Sequence, residues 1–245
     1  MQENAVMVQR LDWDGLRGAV YRGDVPVLTE VLAGDLWPPD ALQLLGEAVL
    51  VAVRERAGGI GLGGRCCVAR LRDRAWEGDA ELAGQIDAAL GLGPAPLLRA
   101  LRVDLDELAG VLEGDPLSGG GLVDLQTGEV WPQTAVDYAE QAGELDPDQV
   151  DGQRWLEVVC EGSRAAYRDM EMFIDSLDDV RVVDRLARSI QGRGAFRRFK
   201  DVLAGSPELL GRWYGFSDDR RRGRARAWLA AQGYAATPPT TAPAP

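Results

Sequence analysis

Along most of this chain the apolar residues recur every three or four positions. Residues 121–131 (GLVDLQTGEVW) break that rhythm, with strand-forming residues on both sides of Gln126, Thr127 and Gly128. The change of period predicts a β-hairpin closed by a three-residue turn, with Gly128 supplying the positive φ such a turn needs. Residues 155–160 (WLEVVC) read as a third strand. Helical-period segments lie on both sides, so the expected class is α+β and mostly helical. A small three-stranded antiparallel sheet packs with helices and is preceded by a helical module.

The helical reading rests on spacing. Leu16, Ala19 and Val20, then Val27, Leu28, Val31 and Leu32, fall at helical intervals on either side of Gly23 and Asp24. Pro38, Pro39 and Asp40 open the next helix, with Leu42, Leu45, Val49 and Val53 along one side. Leu105, Leu108, Val111 and Leu112 make a short helix before the hairpin. Residues 137–154 read as a short helix and an exposed acidic loop. Ser163 is expected to cap a helix whose face is Tyr167, Met170, Ile174 and Leu177. Two helices follow over 180–190 and 195–203. Ser206 and Pro207 start another, and Ser217 or Asp218 starts a last one that ends before Gly233.

The sequence LGPAP at 92–96 is the expected boundary. The domain reading is therefore a helical N-terminal module over 1–95, an α+β domain over 96–235, and a disordered Thr/Pro/Ala tail over 236–245.

Composition removes whole classes of chemistry. Hydrophobic residues make up 46% and charged residues 27% of 245, so a buried core is expected. There is no histidine, which excludes Ser-His-Asp and Cys-His catalysis and histidine metal ligands. The single lysine, Lys200, lies between Phe199 and Asp201, a context that fits neither a phosphate-binding loop nor a Schiff base. Cys66, Cys67 and Cys160 form neither a disulfide framework nor a zinc spacing. No apolar run approaches the length of a membrane span, and the N-terminus lacks a signal peptide's basic start and apolar stretch. The reading is a cytoplasmic protein with no membrane, metal or cofactor.

Three motifs bear on nucleotide, calcium or metal chemistry. Residues 59–64 (GIGLGG) match G-x-G-x-x-G, but helical flanks argue for an inter-helix loop rather than a dinucleotide fold. Asp146, Asp148 and Glu157 sit at three calcium-loop positions, but Val150 and Asp151 stand where an oxygen ligand and glycine are needed. Asp124, Glu157, Glu161, Asp169 and Glu171 supply carboxylates for a metal-dependent hydrolase only if two or three converge. Glu171 is expected to be semi-buried beside the apolar face, and Asp169 to point elsewhere.

Charge is spread unevenly. Residues 111–180 carry 3 basic and 17 acidic side chains, net −14, and residues 181–245 carry 13 and 5, net +8, in a chain of net charge −12. The two segments are expected to dock on each other. Within the basic one, Phe196, Phe199 and Leu203 share a helix face and are expected to anchor it. Around them stand the candidate binding residues Arg193, Arg197, Arg198, Lys200, Arg212, Trp213, Arg220, Arg221 and Arg222. Arginines among aromatics can hold phosphates and stack bases. They can equally form a shell over core aromatics that pairs with the acidic segment, and near-cancellation of charge favours that second reading.

At these residues the chain resembles a known family. YRDMEMFID at 167–175, GRGAFRRFKD at 192–201, RWY at 212–214, AWL at 227–229, the hairpin and the 155–160 strand are together similar to the uncharacterised bacterial protein family 0158. The resemblance spans about 100–234, and the helical N-terminal extension is similar to that of actinobacterial members. It implies a bacterial cytoplasmic protein and carries over no activity, cofactor or catalytic residue. With no catalytic constellation in sight, the sequence reads as a non-enzymatic binding or adaptor protein with an unknown protein partner. A nucleic-acid-binding regulator comes second, possible but not favoured, and a carboxylate-metal hydrolase third.

Overall fold

The computed structural model describes residues 13–34, 37–114, 119–145 and 152–238. The acidic loop considered for calcium at 146–151 and the tail from 239 onward lie outside the described residues. The chain forms two compact units. One is built from residues up to Leu98 together with Thr237 and Pro238, and the other from Arg99–Ala236.

The first unit is a helical bundle: α1 (Trp13–Arg22), α2 (Val25–Ala33), a 3-10 turn (Pro39–Ala41), α3 (Leu42–Arg54), α4 (Ile60–Arg74) and α5 (Asp79–Ala89). Asp24 caps α2 by accepting from the Val27 N–H, and Pro26 occupies its first turn. Most of the expected stripes are core, with Leu16, Ala19, Val20, Leu28, Leu32, Leu42, Leu45 and Val49 buried, but Val31 and Val53 are half-buried and Val27 is exposed. Leu71, Leu82 and Ile86 complete the core. The glycines at 59–64 do not make a loop. Gly59 caps α4 in the left-handed region and the others form its first turns. A Cβ on Gly63 would lie 2.7 Å from the Leu32 carbonyl oxygen, and one on Gly64 2.7 Å from Leu90 Cδ1. Small residues are needed there because α4 packs against its neighbours at backbone distance.

The second unit runs β1 (Arg99–Arg102), α6 (Leu105–Leu112), β2 (Gly121–Asp124), β3 (Val130–Pro132), α7 (Gln133–Ala142), β4 (Trp155–Val158), α8 (Arg164–Asp175), α9 (Val180–Ser189), α10 (Ala195–Leu203), α11 (Pro207–Ala231) and β5 (Tyr234–Thr237). The three-stranded antiparallel sheet has order β3-β2-β4, with Leu122 opposite Trp131 and Glu157. Gly128 closes the hairpin at φ +80°, and a Cβ on it would fall 1.3 Å from the Arg102 carbonyl oxygen. β1 and β5 pair as a second, two-stranded sheet that the sequence reading lacks. Four-residue strands carry too short an alternation to register against helical neighbours.

Three further expectations are corrected. The strand at 155 ends at Val158, not Cys160. Ser163 holds the cap position of α8 without a side-chain bond. The C-terminal helices are one 25-residue helix, α11, capped by Ser206, whose Oγ accepts from the Leu209 N–H. Asp218 does not start a helix. It sits one turn before Arg222 and accepts from its Nε at 3.1 Å, a pairing that supports an uninterrupted helix.

Candidate functional site

The charge-rich stretch of α11 has arginine at 220, 221, 222, 224 and 226. On a helix, 220 and 224 share one face and 222 and 226 another. Helix α8 lies against the first face and brings Asp169, which is buried. Arg220 donates Nε to Asp169 Oδ1 at 3.0 Å. Arg224 donates Nη1 to the same oxygen at 3.1 Å and Nη2 to Oδ2 at 2.8 Å. Glu113, just past α6, receives Arg224 Nε at 2.7 Å and pairs with Arg221 at 3.4 Å. On the second face Arg222 pairs with Asp106 of α6 and with Asp218. Arg226 and Asp219 are each 1% exposed.

Burial alone would lower the Arg224 pKa, but the Asp169 and Glu113 carboxylates outweigh it and raise the value. These arginines fasten α6, α8 and α11 together. A buried pair of this kind contributes little net stability when intact, yet breaking one costs about 3–5 kcal/mol because a buried charge is left alone. The opposite segments therefore do dock, through Asp169 and Glu113 on the acidic side. The expectation for the α8 carboxylates is reversed, since Asp169 is buried and Glu171 exposed.

The remaining candidates separate by role. Trp213 lies in an aromatic core with Phe173, Phe199 and Phe216, the ring centroids of Phe199 and Trp213 being 4.8 Å apart. Arg212 donates to the Ser176 carbonyl at 3.1 Å, holding the end of α8. Arg198 donates to the carbonyls of Ser189 (3.0 Å) and Gln191 (2.5 Å) and to that of Arg193, clamping the loop between α9 and α10. Tyr167 holds the same loop by donating to the Ile190 carbonyl at 3.1 Å. Phe199 is buried at 1% exposure, whereas Phe196 is 38% exposed, so only one of the two expected anchors is in the core.

Arg193, Arg197 and Lys200 are exposed, and among the described residues none has an ion-pair or side-chain hydrogen-bond partner. The same holds for Arg181 and Arg185 on α9, and Arg188 beside them is exposed and bonds only its own helix through the Asp184 carbonyl. Arg181, Arg185 and Arg188 are not among the candidates drawn from the sequence. Their spacing of i, i+4 and i+7 is the signal that would have found them.

Two clefts flank the start of β2 and share Gly119 and Gly120. One, about 660 Å³, runs along β4 past Glu157 and Cys160 to Glu140 of α7. The other, about 370 Å³, holds Glu107. Burial, with Asp104 and Glu129 nearby, pushes the Glu107 carboxyl above its ordinary value. Asp124 is held below the usual carboxylate range. Burial works to raise it, but hydrogen bonds from Arg154 and from the backbone N–H groups of Gln126 and Thr127 prevail. The carboxylates considered for a hydrolase do not converge: among the described residues no three acidic or cysteine side chains could hold one metal ion.

Residues 136–237, from α7 through β5, match the model of the uncharacterised protein family UPF0158. A UPF0158 protein of Pseudomonas aeruginosa is 27% identical over 135 residues, covering 54% of this chain and 84% of the relative. The C-terminal region of this chain is thus similar to UPF0158. The UPF0158 match takes in β4, both faces of α11 and the α9–α10 pair, and the helical bundle of the first unit lies outside it. No solved structure matches the chain. Among the described residues no helix is long and apolar enough to cross a membrane.

Proposed function

We propose that this protein is a non-enzymatic binding protein that engages its partner through the outer faces of α9 and α10. One observation carries the reading. Arg220, Arg221, Arg222 and Arg224 of α11 are spent on carboxylates within the fold, while among the described residues the exposed arginines of α9 and α10 have no such partners. Two of the carboxylates considered for a hydrolase support the same reading: Asp124 is held by Arg154, and Asp169 by Arg220 and Arg224. Carboxylates committed in this way are less available to a substrate or metal, whereas an exposed cationic face has no internal ion pair to break before it meets a partner.

The test is affinity capture from a lysate of the native cell, using the tagged full chain and an Arg185→Glu/Arg193→Glu/Arg197→Glu variant, each with and without nuclease. The same macromolecule recovered by the wild type and lost by a variant with unchanged circular dichroism supports the reading. Identical capture by both chains overturns it.

A further inference from the structure

Residues 181–200 hold seven basic side chains (Arg181, Arg185, Arg188, Arg193, Arg197, Arg198 and Lys200) and a single acidic one, Asp184. Arg198 is consumed in clamping the loop. The other six form two rows of identical spacing, 181-185-188 and 193-197-200. On an α-helix, positions four and seven apart return to within about 40° of the first. The first row therefore runs along one face of α9. On α10, Arg197 and Lys200 share a face, and Arg193 is exposed in the loop just before it, on the far side of the left-handed Gly194. The core sides of these helices are elsewhere, marked by buried Leu186 and Ser189 on α9 and by Ala195, Phe199 and Leu203 on α10. The two rows thus lie on the outer surface of adjoining helices joined by a short loop that two side chains hold in place.

Resting on the binding face proposed above, we infer that its ligand is the phosphodiester backbone of a nucleic acid. The composition of the face decides between this and an acidic protein. Protein interfaces are built around apolar anchors and are depleted of charge at their centres. Here the exposed apolar residues are Val180 at the rim and Phe196, and the centre is cationic. A phosphate backbone needs the reverse: a run of cations without internal counter-ions, preferably arginine, whose planar fork pairs with phosphate oxygens. Phe196 lies between Arg193 and Arg197 in the chain and is 38% exposed, which leaves ring surface for a base to stack on. The net charge of −12 opposes approach at long range. Screening over about 8 Å at physiological ionic strength confines that repulsion, and the charge cancellation that argued against nucleic acid belongs to α11, not to this face.

The test is fluorescence anisotropy of labelled single-stranded and duplex oligonucleotides with the full chain, at 50 and 200 mM salt, beside vesicles of anionic lipid. Four phosphate contacts imply an affinity loss on the order of 100-fold between those salts. An Arg193→Gln/Arg197→Gln/Lys200→Gln variant should flatten the logarithmic salt slope by about 2 to 3. An Arg22→Gln/Arg56→Gln/Arg65→Gln variant, which makes the same change in net charge on exposed arginines of the first unit, should leave it unchanged. Absence of binding at 50 mM, equal effects of the two variants, or binding to vesicles without oligonucleotides overturns the inference. If oligonucleotides fail while nuclease-resistant capture of a protein is still lost in the α9–α10 variant, the binding face stands and its assignment to nucleic acid falls.

Discussion

Arg224 grips Asp169 with both arms of its guanidinium, at 3.1 and 2.8 Å, across 55 residues of sequence and with both side chains buried. Asp169 also receives Arg220, and Arg224 also reaches Glu113, so one carboxylate and one guanidinium join α6, α8 and α11. Removing Asp169 leaves two cations facing each other in a poorly hydrated space. Asp169→Ala should destabilise the second unit by about 3–5 kcal/mol in urea denaturation. A loss below about 1 kcal/mol would mean that water reaches the cluster.

The two phenylalanines of α10 should behave differently. Phe199 packs edge-on against Trp213 and Phe173, and Phe199→Ala should cost about 3–5 kcal/mol. Phe196 keeps more than a third of its surface in water, and Phe196→Ala should cost about 1 kcal/mol or less. Thermal melts of the two variants check the difference, and equal shifts would contradict the packing.

Gly128 combines a left-handed backbone with a carbonyl where a side chain would begin. Gly143 has a similar φ of +73° but open space around it. Gly143→Ala should therefore cost only the conformational penalty, about 1–2 kcal/mol. Gly128→Ala should cost clearly more, because the hairpin must move off Arg102. Urea midpoints of the two variants measure this, and equal losses would refute the close approach.

Asp124 gives a pH dependence. Its carboxyl is held below the ordinary range in the folded chain, so the stability it contributes is present above its unfolded value and is lost as pH falls through the folded one. Asp124→Asn should lower stability at neutral pH and flatten the decline on the acid side. Denaturation midpoints across an acid-to-neutral series test it, and a parallel offset at every pH would rule it out.

The helices of the first unit and the hairpin were legible because their signals are local: apolar spacing at 16, 19 and 20 or at 42, 45 and 49, and the turn at 126–128. β1 and β5 were not legible, since each is four residues long and gains its identity only from a partner about 130 residues away. The glycines at 59–64 misled because a glycine demanded by close helix packing looks, in sequence, like one demanded by a loop. Asp169 was misplaced for a related reason. Its neighbours Met170 and Phe173 mark the apolar face, but a carboxylate can be drawn to the edge of that face by arginines more than fifty residues away. The basic segment showed its charge but not its division, because only packing reveals which arginines meet carboxylates.

That division is the central claim, and equilibrium urea denaturation of two variants tests it most directly. Arg224→Gln should lower the midpoint sharply, in keeping with a loss of about 3–5 kcal/mol. Arg193→Gln/Arg197→Gln/Lys200→Gln should leave the midpoint within about 0.5 kcal/mol of the wild type despite removing three charges. A triple variant as unstable as Arg224→Gln, or an Arg224→Gln chain as stable as the wild type, would contradict the claim.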